Sequence, residues 1–321
     1  GARGSGLGIR DWSEDQGLGM SDKGLILLAL TVCSALPAAQ PQLQLDPPKK
    51  CFDCVEWNAP REPFRIFGNT YYVGVAQLSV LLVATDAGLI LLDGALPQSV
   101  PLIDANIRKL GFRTEDVRFI LNSHAHYDHA GGIAALQRVS GARVVASAAG
   151  ARALERGEPT ADDPQYGLGR QANEFPAITA VQTVTQGETV KLGAVSVTAH
   201  MTPGHTPGST TWAWRSCEGS RCLDIVYADS VTAVSADGFR FTGGPGRPDV
   251  GNVFRQSIEK VGALPCDIIV STHPSATNLE ERLKRRAAGA SDALVDPGAC
   301  RAYAGGALER LEARIAEEKG G

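Results

Sequence analysis

The stretch Asn122-Ser123-His124-Ala125-His126-Tyr127-Asp128-His129 gathers three imidazoles and a carboxylate into one short segment. It follows the apolar run Val117–Leu121, which reads as a strand, and it precedes the helix-like run Gly132–Val139. Along an extended chain, side chains two residues apart point to the same side, so His124 and His126 can grip one cation together. The chain then turns, and Asp128 and His129 can face a second. Imidazole and carboxylate without thiolate suit Zn²⁺. Two more histidines stand where loops gather. His205 lies in Thr202-Pro203-Gly204-His205-Thr206-Pro207-Gly208-Ser209, whose Pro and Gly residues fix a turn between two strands. His273 ends the strand-like run CDIIVSTHP. The sixth histidine, His200, falls inside a strand and reads as structural, or as a partner behind a ligand.

The elements that must carry these residues are legible as apolar runs. Phe64–Val75 and Leu78–Leu92 read as strands, with a turn at Asp86-Ala87-Gly88. Val100–Leu110 has helical spacing and stops at Gly111. Arg143–Ser147 reads as a strand, Ala148–Arg156 as a helix, and Glu158–Pro176 as a long irregular loop, of the kind that is usually functional. Ala180–Val184, Thr189–Leu192, Val195–Met201, Ser209–Arg215, Ile225–Ala228 and Asp267–Thr272 read as strands. Val253–Leu264 and Ala307–Lys319 read as helices. Strands come in runs with helices interspersed, so the expectation is one mixed α/β domain, two packed sheets with helices outside, and not alternating βαβ units.

The N-terminal part reads differently. Residues 1–19 look like upstream translation or a cloning remnant. Residues 20–39 resemble a secretory signal peptide, with Lys23 before the apolar run Leu25–Leu36 and small residues Ala38 and Ala39 after it. The run is shorter than the ~20 residues of a membrane-spanning helix. Leu30-Thr31-Val32-Cys33 is also a loose lipobox, which leaves a lipoprotein as a minor option. The expected layout is therefore an N-terminal extension over 40–56 and a catalytic domain over 57–321, exported to the periplasm. Of seven cysteines, six remain once Cys33 leaves with the leader. An even count in an exported chain suggests disulfides. Spacing proposes Cys217 with Cys222, Cys51 with Cys54, and Cys266 with Cys300. A structural zinc site using Cys51 and Cys54 is the alternative.

Composition narrows the classes. A net charge of −4 and no basic stripe argue against a protein that lives on nucleic-acid phosphates. Aromatic content of 6% argues against base-stacking platforms. A 43% hydrophobic content supplies a sizeable core. A small-molecule substrate, no stable membrane span and a monomer are expected.

The histidine pattern resembles the metallo-β-lactamase superfamily, from about Trp57 to the C-terminus, and is most similar to its subclass B3 β-lactamases. The resembling stretches are Leu91-Leu92-Asp93-Gly94-Ala95, His124 to Gly132, Gly204 to Gly208, and Tyr227-Ala228-Asp229-Ser230. The resemblance implies an αββα sandwich. It implies that His124, His126 and His205 hold one zinc and that Asp128, His129 and His273 hold a second. The implied activity is hydrolysis of the β-lactam amide of penicillins, cephalosporins and carbapenems, with Asp128 able to route a proton to the leaving nitrogen. Two close metals would lower the pKa of a bound water and hold a nucleophile ready.

The segment Tyr227–Thr232 discriminates between relatives. Glyoxalase-like and lactonase-like members carry an aspartate there that bridges both metals, and subclass B3 carries a serine. Ser230 is aligned with that serine, and Asp229 is read as a partner that orients a ligating histidine. A bridging Asp229, and with it a lactonase or thioesterase, is the alternative. Ser230 and Thr232 are expected to anchor a substrate carboxylate, and Gln165 and Tyr166 of the Glu158–Pro176 loop are candidate rim contacts. The further rivals are an iron oxidoreductase, a non-catalytic scaffold, and metal storage.

Overall fold

A computed structural model of the chain describes residues 43–320. The proposed leader at 20–39, the lipobox and residues 1–19 lie outside the described residues. The first sheet runs in the order β1 (Phe64–Phe67), β2 (Thr70–Tyr72), β3 (Leu81–Thr85), β4 (Gly88–Leu92), β5 (Val117–Leu121), β6 (Arg143–Ser147), β7 (Gln182–Val184). Its first four strands are antiparallel neighbours and β4 to β7 are parallel. The second sheet comprises β8 (Thr189–Leu192), β9 (Val195–Met201), β10 (Thr210–Glu218), β11 (Arg221–Ala228) and β12 (Ile268–Ser271), with β12 parallel to β11 at one edge.

The strands alternate as the period of two requires. Leu81, Val83, Ile90, Leu92, Phe119 and Leu121 of the first sheet meet Trp212, Trp214, Ile225, Tyr227, Ile268 and Val270 of the second in one core between the sheets. The intervening residues Leu82, Leu91, Ile120 and Val144 turn the other way, toward α2 (Val100–Lys109), α4 (Ile133–Ser140) and α5 (Ala148–Arg156). On the far side, Val226, Ala228 and Ile269 pack under α7 (Gly251–Ala263) and α9 (Ala299–Gly320). The central strands are covered on both faces, which explains why β4, β5 and β12 read as nearly unbroken apolar runs, whereas β8 and β9 mix buried with exposed or part-exposed positions. The result is the αββα sandwich.

Shorter helices complete it: α1 (Cys54–Trp57), α3 (Tyr127–Ala130), α6 (Arg170–Asn173) and α8 (Leu279–Ala287). The Glu158–Pro176 loop contains α6 and a 3-10 turn at Tyr166–Leu168, so it is less irregular than its composition suggests. The terminal helix starts at Ala299 where the sequence reading placed it from Ala307, because Cys300, Tyr303 and Ala304 are already buried against the second sheet's outer layer. Helix α8 escaped the sequence reading: it is mostly charged and buries only Leu279 and Arg282. Cys51–Cys54, Cys217–Cys222 and Cys266–Cys300 form disulfides, so Cys51 and Cys54 are not a thiolate metal pair. Residues ahead of α1 pack along the first layer: Arg138 donates to the Gln44 carbonyl, and Lys49 Nζ donates to the carbonyls of Gln171 and Glu174. No helix among the described residues is long and apolar enough to cross a membrane.

Candidate metal centre

The histidine segment begins where β5 ends, and a buried carboxylate fixes its first turn. Asp93, just past β4, adopts a left-handed backbone at φ 63°, a conformation that non-glycine residues hold only under local compensation. The compensation is a hydrogen-bond hub. Asp93 Oδ1 accepts from the Ser123 amide (2.7 Å) and Asn122 Nδ2 (3.1 Å), and Oδ2 accepts from Ser123 Oγ (2.6 Å) and Tyr227 OH (2.8 Å). Asn122 Nδ2 also donates to the His124 carbonyl at 2.8 Å. Gly132, at the entry to α4, lies so close to the Gly94 carbonyl that a Cβ there would collide with it. Gly94 in turn donates its amide to the His129 carbonyl.

Three segments bring the predicted ligands together. The rings of His124, His126 and His205 stand 4.8–5.0 Å apart, centroid to centroid. Their ligand atoms fall within 4.8 Å of one another, as do those of His124, Asp128 and His129. His273 joins the second group. His129 Nε2, His273 Nε2 and Asp128 Oδ2 lie 3.1–3.3 Å from one another. That spacing is close to the ~3.3 Å edge of a tetrahedron with ~2.0–2.1 Å arms, the arrangement of zinc with imidazole and carboxylate. His124 Nε2 is fully buried with no hydrogen-bond partner among the described residues. A buried nitrogen left so is expensive and is explained by a cation. The donor set therefore fits a pair of metal ions.

The outer nitrogens of His124, His205 and His126 are tied down, whereas His129 Nδ1 is buried without a hydrogen-bond partner among the described residues. His124 Nδ1 donates to Asp229 Oδ1 at 2.6 Å, and His205 Nδ1 donates to the Thr232 carbonyl at 2.9 Å, so both present Nε2 inward. His126 is reversed: Nε2 donates to the Asp163 carboxylate at 3.2–3.3 Å, leaving Nδ1 inward. Asp163 is a site residue that the sequence reading missed. The reading took Gln165 and Tyr166 from the same loop, but nothing in an Asp-Asp-Pro turn tells which aspartate folds inward. His200 sits on β9 opposite Thr211 and outside the cluster.

Burial drives His124 well below the usual imidazole range and His205 to about 3, with neighbouring imidazoles adding to the effect. Burial would also depress His129, but the charge and hydrogen bond of Asp128 outweigh it and raise His129. Burial would raise Asp128, yet His129 and His273 hold it well below the carboxylate range. Burial lifts Asp229 well above that range.

The candidate substrate contacts divide. Ser230 Oγ lies 2.9 Å from Thr272 Oγ1, beside the residue that precedes His273. Thr232 is occupied with His205, its Oγ1 3.2 Å from the same Nδ1. Gln165 Nε2 lies 3.4 Å from His126 Nδ1, at the centre. Tyr166 is exposed and lines a small cavity of about 150 Å³ with Glu158, Pro159 and Arg170, none of them in the histidine cluster. Trp57 sets its ring edge-on to His273 at 5.5 Å, and the His273 side chain is 30% exposed.

Comparison with known proteins agrees with this geometry. The family model of the metallo-β-lactamase superfamily matches residues 73–273. The Rm3 metallo-β-lactamase superposes with a TM-score of 0.81 and 50% identity, over 84% of this chain and 99% of that one. MEM-A1, a subclass B3 metallo-β-lactamase from a soil metagenome library, gives 0.79 and 48% over 82% and 99%. Among curated relatives, the hydroxyacylglutathione hydrolase of Cereibacter sphaeroides is 28% identical over 189 residues, and the chain spans 58% of its length and 58% of its own. The sandwich, the convergent histidines and these likenesses lead to one conclusion: the chain belongs to the metallo-β-lactamase superfamily.

Proposed function

We propose that the protein is a zinc-dependent hydrolase of subclass B3 type that opens the β-lactam amide of penicillins, cephalosporins and carbapenems and so confers resistance to them. His124, His126 and His205 would hold one zinc, and Asp128, His129 and His273 the other. Bound zinc would supply a water of lowered pKa and polarise the carbonyl. The chain's own residues do the rest. The anchored outer nitrogens keep the ligating nitrogens neutral and aimed inward. Water is added as the ring C–N bond breaks, its oxygen going to the carbonyl carbon and a proton to the departing ring nitrogen. Asp128 Oδ2 faces the two imidazoles, which leaves Oδ1 to carry that proton. Ser230 and Gln165 would contact substrate, a reading supported by their places beside Thr272 and His126 Nδ1, and Trp57 would offer an apolar wall beside His273.

The observation that carries this reading is the position of Asp229. Asp229 is wholly buried and its Oδ1 is engaged on the far side of His124, with Ser230 beside Thr272, while Oδ2 has no hydrogen-bond partner among the described residues. That arrangement favours the amide hydrolase over a lactonase or thioesterase in which Asp229 bridges the metals. The hydroxyacylglutathione hydrolase relatives favour the thioesterase. Three disulfides support an oxidising compartment, and the reading includes export to the periplasm and action as a monomer. The test is hydrolysis of a chromogenic cephalosporin by zinc-loaded protein, with a lactone and a glutathione thioester in parallel. Turnover of the cephalosporin, lost to chelator and restored by zinc, is expected. Turnover of the thioester alone overturns the proposal.

A further inference from the structure

We infer that Asp163 is the positioning residue for His126 and sets the affinity of the metal position shared by His124, His126 and His205. The inference rests on the two-metal reading above. Of these three imidazoles, His126 is the one that must present Nδ1, and Asp163 imposes that orientation. Both Asp163 oxygens lie 3.2–3.3 Å from His126 Nε2, so a proton is held there and the ring cannot turn Nε2 inward without burying an unpaired carboxylate.

The surrounding chain is organised around this contact. Asp163 is 4% exposed, whereas its neighbour Asp162 is exposed. Oδ1 also accepts the Gln165 amide at 2.8 Å. The turn is closed on both sides, by the Asp163 amide on the Thr160 carbonyl and the Tyr166 amide on the Asp163 carbonyl. It is pinned to the body of the loop by Asn173 Nδ2 on the Gln165 carbonyl, and to the segment after β11 by the Ala236 amide on the Pro164 carbonyl. Among the described residues, no lysine or arginine forms an ion pair with Asp163, and its side-chain partner is the His126 N–H. A buried carboxylate without a basic partner is costly, so a carboxylate kept here acts through the imidazole. The same turn sets the Gln165 amide 3.4 Å from the inward Nδ1, so one short segment governs both nitrogens of His126.

The experiment uses the full chain and zinc. Wild type, Asp163→Ala, Asp163→Asn and the control Asp162→Ala are titrated against a chromophoric chelator to resolve both zinc affinities. The tautomer of His126 is read by long-range proton–nitrogen NMR. Asp163→Ala is expected to weaken one zinc equivalent by about 10–100-fold and to lose the Nε2-protonated tautomer, the other equivalent being unchanged. Asp163→Asn keeps an acceptor and the side-chain volume, and is expected to recover most of that loss. Asp162→Ala behaves as wild type. Unchanged affinities in both Asp163 variants, or equal weakening of both equivalents, overturns the inference. Wild type that binds no zinc overturns the two-metal reading itself. A protein that shows the expected zinc pattern but spares β-lactams refutes only the substrate.

Discussion

Replacing Asp229 by asparagine separates the two hydrolase readings. Asp229 is fully buried, and its Oδ1 sits 2.6 Å from His124 Nδ1, a separation typical of a charge-assisted bond. Asparagine keeps the volume and one acceptor for that N–H but removes the charge that the carboxylate carries once a cation on His124 offsets the upward push of burial. A hydrogen bond to a charged group contributes about 1.5–3 kcal/mol and a neutral one about 0.5–1.5 kcal/mol. The exchange should therefore cost about 1–1.5 kcal/mol, or roughly 5–13-fold in affinity. On the proposed two-zinc reading, the cost should fall on the zinc that His124 would hold, because Asp229 acts through that ring. Equilibrium dialysis against zinc buffers, with metal counted by atomic absorption and folding checked by urea midpoint, gives both binding constants. If Asp229 instead joined the two metals directly, Asp229→Asn would weaken both equivalents together, and by much more. Equal loss of both zincs would refute the reasoning and transfer the chain to the thioesterase reading.

Acid should empty the two metal positions in sequence. A proton competes for an imidazole only as pH falls through that group's folded pKa; His129 is raised while His205 stands at about 3 and His124 well below its usual range. The zinc on Asp128, His129 and His273 is thus expected to leave first as pH drops from neutral, with the other retained into mild acid, measured as metal per chain after dialysis at stepped pH. Simultaneous release would contradict this. Tyr303→Phe removes a hydroxyl that donates to the Asp229 carbonyl at 2.9 Å and lies 3.2 Å from Ser271 Oγ. The stranded buried groups should cost about 1–3 kcal/mol, read as a melting temperature several degrees lower, and an unchanged melting temperature would show that the hydroxyl braces nothing.

The central strands were legible because the sandwich covers both their faces. Arg143–Ser147 could only be an apolar run between polar turns, and its observed bounds are those of the run, while Val195–Met201 showed instead through alternating Val and polar residues. The five histidines and Asp128 were legible for another reason: metal chemistry demands fixed residue types at short spacings. What stayed hidden depends on long-range placement. Helix α8 carries too few apolar residues to show a period, and it is held by Arg282 donating to the carbonyls of Ile269, Ala293 and Leu294. Asp163 becomes a partner of His126 only after a loop thirty-seven positions away folds over it. Tyr303 lay outside the helix read from Ala307, and only the fold brings its hydroxyl to the Asp229 carbonyl.

The centre is built across the seam of the two sheets, and that explains how loops hold it so rigidly. His124, His126, Asp128 and His129 follow β5 of the first sheet, while His205, Asp229 and His273 follow strands of the second. Polar bonds stitch the seam at this end. Tyr227 OH reaches Asp93, Trp212 Nε1 donates to the Asn122 carbonyl at 3.0 Å, the Thr210 amide donates to the Ser123 carbonyl at 2.8 Å, and the Ser79 amide donates to the Thr272 carbonyl at 2.8 Å. Trp212 and Tyr227 belong to the same buried core that joins the sheets, so each links apolar packing to the placement of a ligand. A metal group divided between two independently mobile sheets would pay to bring its halves together at every binding event. Here the hydrophobic core has already met that cost, and the ligand nitrogens stand within reach of one another before any ion arrives.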